Sequence, residues 1–408
     1  MQGIRPSSLR PGWRVTGVAF GSFFALGLPA GMLGVVWPSV SSTFEVPLEF
    51  LGVILMTSMV GYLVTSFGGG RLVGSLGVAA VLAAGGLVRA LGLLGFTLSP
   101  GWWPLVLASL VLGLGGGAVD AGLNIYSAEH FSPRRLTWLH ASYGVGATVS
   151  PFIMATILGL GESWRWGYGI LTGLQAVAAA GFLATPSRWS RPTPPMKACE
   201  TPPPRARTRE TLGMPLIWVG IAVFFVYCGV EEIAGSWTFS LFTKARHVGE
   251  TAAGFWVGVY FGAFTAGRVF IGLAANRVST RLLVRLSMVL AVAAAAIVWW
   301  SPVTEAGFWG LAVLGFALGP AFPLMTSDTP RRVGPRHAAH AIGFQVASAS
   351  LGAAVIPGLA GVLAAWFNLE AIGVCLTAVA VMLLLLYEVS EWFARRGECC
   401  VKRQANVP

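Results

Sequence analysis

The sequence predicts an all-α membrane protein, with twelve transmembrane helices in two pseudo-symmetric six-helix bundles. Three observations carry this. Of the 408 residues, 55% are hydrophobic and only 11% charged, where a soluble chain carries about 25% charged residues. The apolar residues fall into twelve segments near the roughly 20 residues that a bilayer crossing needs. The basic residues alternate with those segments on one side only, the mark of a chain threaded with its positive loops inside.

In chain order the expected spans are 14–38, 50–69, 76–98, 102–126, 137–160, 164–185, 214–243, 252–274, 282–300, 305–327, 338–366 and 370–392. The N-terminus imitates a leader peptide, with three arginines before an apolar run. It lacks a convincing small-residue cleavage site and reads as a retained first helix. Residues 186–213 are rich in Pro and Arg with no apolar period, the composition of an extended linker. The expected organisation is therefore a six-helix bundle over 1–185, a linker over 186–213, a second bundle over 214–393 and a tail over 394–408.

Counting Lys and Arg sets the orientation. The side that holds the N-terminus carries 22 of the 27, including Arg134, Arg135, Arg331, Arg332 and the linker. The other side carries Arg165, Lys244 and Arg246. Both termini are expected in the cytoplasm of a multi-pass protein of the cell membrane. A cysteine-labelling scan should then find position 207, in the linker, reachable from the cytoplasmic face alone. Labelling from outside would overturn this topology. The net charge of +11 does not point to nucleic acid, because the basic residues sit between spans and not on one face. The five cysteines make no disulfide framework, and those of the linker and tail are expected to stay reduced thiols.

The two halves repeat each other. Gly70-Arg71-Leu72-Val73 after the second span matches Gly267-Arg268-Val269-Phe270 after the eighth. Pro133-Arg134-Arg135 matches Pro330-Arg331-Arg332, and Gly146–Pro151 matches Gly352–Pro357. Matches in the same order and in corresponding spans indicate a duplicated six-helix unit.

Asp120 and Asn124 lie inside the fourth span. A carboxylate in hydrocarbon costs roughly 2.5–3.5 kcal/mol even on lenient scales, so such a residue is directed into a polar cavity or paired with a basic group. Gly116, Asp120 and Asn124 are spaced four apart and share one helix face. An acid and an amide on one face can bind several hydroxyls, since the carboxylate accepts and the amide both donates and accepts. The alternative is a polar clasp between helices. Glu231 and Glu232 sit in the seventh span between Gly229 and Gly235, glycines that suggest a locally unwound helix of the kind transporters use at binding sites. The alternative is that both glutamates face water near the outer mouth. Arg89 in the third span needs a carboxylate, a solute or a water path. Arg71 and Arg268, near the cytoplasmic span ends, read as gate or packing charges. Gln345 is a second amide at membrane depth. Tyr143 and Trp237 are among the aromatic rings that could stack on a sugar, although interfacial aromatics also serve as anchors. His140 could relay a proton or be structural. No Gly-x-x-x-x-Gly-Lys-Ser/Thr loop, metal spacing or hydrolase pattern occurs, so neither an ATP-driven pump nor an enzyme is expected.

Twelve spans in a 6+6 arrangement with a basic central linker resemble the major facilitator superfamily over the whole chain. The loop signature of that family is best matched at Gly272–Arg281 and is reduced, without its Asp, at Gly70–Ser75. Leu139–Pro151, Asp120-Ala121-Gly122-Leu123-Asn124 and Tyr227-Cys228-Gly229-Val230-Glu231 resemble the fucose–galactose–glucose:proton symporters and their fungal and animal sugar-transporter relatives. That branch commonly reads Asn-Asp-Gly in the first span, where this chain has Pro29-Ala30-Gly31. The resemblance implies a secondary transporter of a small hydrophilic solute, most readily a sugar, working by alternating access with proton coupling. Together with the reading of the residues above, it gives expected solute contacts at Asp120, Asn124, Tyr143, Glu231, Trp237 and Gln345, protons carried by Asp120 or Glu231, and gating by Arg71 and Arg268. The expected partners are solute, protons and membrane lipid, with no nucleic acid, cofactor or metal, and a monomer. The alternatives are an exporter of amphipathic drugs or lipids, and an uncoupled sugar facilitator.

Overall fold

The computed structural model describes residues 13–131, 133–186, 189, 208–274, 278–301 and 303–405. They are helical almost throughout. The helices are α1 (Trp13–Phe44), α2 (Leu51–Leu76), α3 (Val78–Leu98), α4 (Trp102–His130), α5 (Pro133–Gly159) and α6 (Arg165–Ala184). After the linker come the short α7 (Thr208–Leu212), then α8 (Pro215–Ser240), α9 (Glu250–Ala274), α10 (Thr280–Trp300), α11 (Thr304–Leu318), α12 (Ala321–Val333), α13 (Pro335–Trp366) and α14 (Ala371–Ala405). Among the described residues, eleven stretches are long and apolar enough to cross a membrane. The 25-residue α9 takes the place of the remaining expected span. Most of the expected linker lies outside the described residues, as does the Asn276–Arg277 part of the loop signature.

Three local expectations are corrected. The tenth span is two helices, α11 and α12, because Gly319 and Pro320 stand at its middle and Pro cannot continue the hydrogen-bond ladder. Pro330, Arg331 and Arg332, placed in a loop by the charge count, are the last turn of α12. Helix α14 continues through the expected tail to Ala405. The seventh span is not unwound at its glycines. Helix α8 runs unbroken through Glu231 and Glu232, and the irregular turn follows at Leu241–Ala245 as a wide, π-type turn. Gly229 and Gly235 serve packing instead, under Ile356 and Phe261.

The chain forms two compact units. One comprises Met1–Pro29, Val60–Gly146 and Arg165–Met196. Its core joins Phe23 of α1, Leu82 of α3, Val119 and Leu123 of α4, and Phe182 of α6, with Trp189 closing one end. Helices α3 and α4 touch backbone to backbone where Gly115 lies on Arg89. Membrane helices associate through such small residues because lipid supplies no hydrophobic drive between them.

The other unit comprises Ala30–Met59, Ala147–Trp164 and Lys197–Pro408. Here the second part of α1 meets α8 at Gly34, whose Cα has no room for a Cβ against Gly235 and Ser236. Gly52 of α2 meets Gly358 of α13, and Ala155 of α5 meets Gly254 of α9. At the end of this unit where α12 stops, an ion cluster ties three helices. Arg332 bonds Asp328 (2.7 Å), Ser390 (3.0 Å) and Glu391, and Arg281 of α10 reaches Glu391 at 3.1 Å.

Candidate functional site

The fourth-helix face is built as a hydrogen-bonded acid. Asp120 sits one turn beyond Gly116 and Gly117, where α4 is thin enough for α2 to press against it at Tyr62. The Tyr62 hydroxyl donates to Asp120 Oδ2 at 2.7 Å, and Asn124 Nδ2 donates to Oδ1 at 3.0 Å. Both carboxylate oxygens therefore have a donor, the arrangement that favours a charged acceptor. Thr65, one turn along α2, donates to the Leu114 carbonyl at 2.8 Å and pins the two helices. Asp120, Asn124 and Tyr62 are each only partly buried, so the face is not sealed.

Arg89 enters from α3. Its backbone rests on Gly115, and Nη1 lies 2.7 Å from where a Cβ on Gly116 would stand, beside the Tyr62 ring. Nη2 donates to the Leu26 carbonyl of α1 at 2.9 Å. The side chain is 6% exposed, and Nε has no hydrogen-bond partner among the described residues. The guanidinium thus stands within electrostatic reach of Asp120 but bonds a helix carbonyl. Tyr143 and His140 of α5 also belong to this neighbourhood, Tyr143 packed on the core and His140 edge-on to Phe23 at 5.1 Å. The spacing rule found Asp120 and Asn124. It could not show that Tyr62 and Arg89, from α2 and α3, complete their surroundings.

The seventh-span acids sit in the other unit. Glu232 accepts from Ser236 at 3.4 Å, and Glu231 lies within reach of Arg268. Tyr260 donates to the Glu231 backbone carbonyl at 3.0 Å. Arg268 donates from Nε to the Gly319 carbonyl at 3.0 Å, and Tyr227 donates to the Leu318 carbonyl at 2.7 Å. The break at Pro320 leaves carbonyls without ladder partners, and these two side chains satisfy them. Arg268 also stacks on Phe264 at 4.4 Å, so it is committed to this break. Arg71 is exposed.

Two expected contact residues stand apart from these acids. Trp237 is fully buried, with its indole N–H donated to the Pro357 carbonyl at 2.9 Å. Gln345 accepts from Thr329 at 3.0 Å and lies over Gly220. It lines a cavity of ≈ 30 Å³ beside Arg332 and Ser390, room for one or two waters.

The family model of the Major Facilitator Superfamily matches residues 19–346 and 238–396. The chain belongs to the major facilitator superfamily. Its twelve expected spans and its helical architecture are those of that fold, and it is a multi-pass membrane transporter in kind. A curated relative within reach is "Bypass of stop codon protein 6" of Saccharomyces cerevisiae, 22% identical over 377 residues, covering 84% of this chain and 75% of the relative. Among solved structures, a point mutant of the nucleoside transporter NupG superposes with a TM-score of 0.76 at 12% identity, covering 92% of this chain and 99% of that one. A bacterial homologue of the human lysosomal transporter Spinster, inward-facing and occupied, gives 0.70 at 13% identity, covering 97% and 98%. At such identities the superfamily fold is shared and the solute is not assigned.

Proposed function

We propose that this superfamily member moves a small hydroxyl-rich solute, most readily a sugar, by alternating access with proton coupling through Asp120. The observation that carries the reading is the Asp120 face. A carboxylate held by Tyr62 and Asn124 offers acceptors and donors within one turn, at membrane depth, on a partly open surface. A sugar hydroxyl both donates and accepts, so it can enter this array by exchanging with Tyr62 or Asn124. An exporter of amphipathic compounds would favour an apolar lining, and the buried charge of Arg89 beside Asp120 speaks against it. A neutral acid can cross the closed state more readily than an ion, which gives Asp120 a reason to take up a proton. Glu231, within reach of Arg268, is the second candidate carrier in the other unit. The loop charges support a topology with both termini in the cytoplasm.

The test is a panel of labelled sugars offered to the purified protein in liposomes, with and without an imposed proton gradient. Uptake of none of them would end the sugar assignment. Asn124→Ala removes a donor to a charged group, worth about 1.5–3 kcal/mol, so solute binding is expected to weaken at least about tenfold. Gln345→Ala, bonded to Thr329 beside the small cavity, is expected to leave binding within about twofold. Equilibrium binding of the labelled sugar reads both.

A further inference from the structure

Helix α1 carries Pro29, which has no N–H for the Ala25 carbonyl and whose ring crowds that turn. Helix α1 runs unbroken through Pro29, and at such a proline neighbouring carbonyls can take side-chain donors. The next carbonyl, that of Leu26, accepts Nη2 of Arg89 at 2.9 Å. The same guanidinium lies against Gly116, one turn from Asp120. One buried cation therefore bonds α1 in the turn before Pro29 and lies on α4 one turn from its acid. The molecule repeats the device: Arg268 bonds the Gly319 carbonyl beside Pro320 and stands within reach of Glu231.

We propose that Arg89 is a positioning residue that holds the Pro29 turn of α1 to the Asp120 face, so that the charge on Asp120 sets how firmly this turn is held. This rests on Asp120 being the site of proton and solute binding. An ionised Asp120 keeps the guanidinium between α3, α4 and α1. Neutralising it removes the anion that holds the cation there, and the bond from Arg89 to the Leu26 carbonyl is weakened, while the core packing of Phe23 and the Ser142 bond to the Phe20 carbonyl remain. The charged and titratable groups facing Asp120 are Tyr62 of α2, Arg89 of α3, and His140 and Tyr143 of α5, with the Asn124 amide on its own helix. Arg89 is the cation among them that bonds α1.

Ala30 follows Pro29 and is partly buried, so its accessibility reports the state of this turn. A single-cysteine protein carrying Ala30→Cys, with the native cysteines replaced, is labelled with a maleimide in liposomes. Asp120→Asn and Arg89→Gln are each expected to raise the labelling rate at least about fivefold. The double variant is expected to be no faster than the faster single one, since coupled residues are not additive. Arg89→Lys keeps charge without the planar fork and should fall between, and it carries the test if Arg89→Gln does not fold. A purely structural Arg89 would leave labelling unmoved by Asp120→Asn, and that result overturns the proposal, as do additive effects in the double variant. Accumulation of sugar by Asp120→Asn at the wild-type level would instead overturn the assignment of Asp120 to coupling. Labelling and accumulation thus fail separately.

Discussion

Asp120→Asn is expected to abolish accumulation of solute while leaving exchange of labelled for unlabelled solute intact. A membrane potential of 100 mV is worth about 2.3 kcal/mol per charge, so one proton per solute sustains a gradient of about 50-fold. Without a titratable acid on α4, the ratio should fall to about one. Exchange survives because it needs no return of the empty carrier, the step in which a buried anion would have to be neutralised. Asn preserves the shape of Asp and keeps one acceptor for Tyr62, whose hydroxyl lies 2.7 Å from the carboxylate, so the variant tests charge more than packing. Uptake of labelled solute into proteoliposomes under an imposed potential and pH step, with counterflow as the exchange measure, decides it. Undiminished accumulation would pass the role to Glu231, to be tried with Glu231→Gln. Wild type that never concentrates solute would mark a facilitator, which the Ala30 found where the resembling branch carries an acid would explain.

Arg332→Met is expected to destabilise the protein by about 3–5 kcal/mol, the cost of stripping one partner from a buried ion cluster. Arg332 joins Asp328 at 2.7 Å to Glu391, and their side chains are 12%, 8% and 2% exposed. With the guanidinium gone, Asp328 keeps only the longer contact at 3.8 Å to the exposed Arg331, and Glu391 keeps Arg281. Replacing Arg332, Asp328 and Glu391 together by apolar residues of similar size should recover much of the loss, because the charges then left unpaired, Arg281 and Arg331, reach solvent and none is left buried. The midpoint of thermal unfolding in detergent orders the three proteins. An Arg332→Met midpoint equal to wild type would show that the cluster is hydrated and contributes little.

Some of this was written along the chain. Apolar runs of bilayer length, separated by loops of one charge sign, required helices that satisfy their own backbone groups in lipid. The twelve spans followed, and so did the shared face of Asp120 and Asn124, since both depend on spacing alone. Lone prolines were visible too, but whether one merely bends a helix or ends it depends on what receives the freed carbonyls. Pro29 stays within α1, with the Leu26 carbonyl bonded by Arg89, while Pro320 separates α11 from α12 with Tyr227 and Arg268 bonding the carbonyls before it. Glycines near Glu231 were compatible with unwinding or close packing, and the neighbours Ile356 and Phe261 made it packing. Trp237 and Gln345 qualified as contact residues by type, yet Pro357 and Thr329 hold their polar atoms. The α2 partner of Asp120, Tyr62, and the α3 cation near it, Arg89, came from 58 and 31 positions away. Periodicity reports which residues share a face of one helix. Which face of another helix meets it is set by where small residues let backbones approach, and only the folded chain decides that.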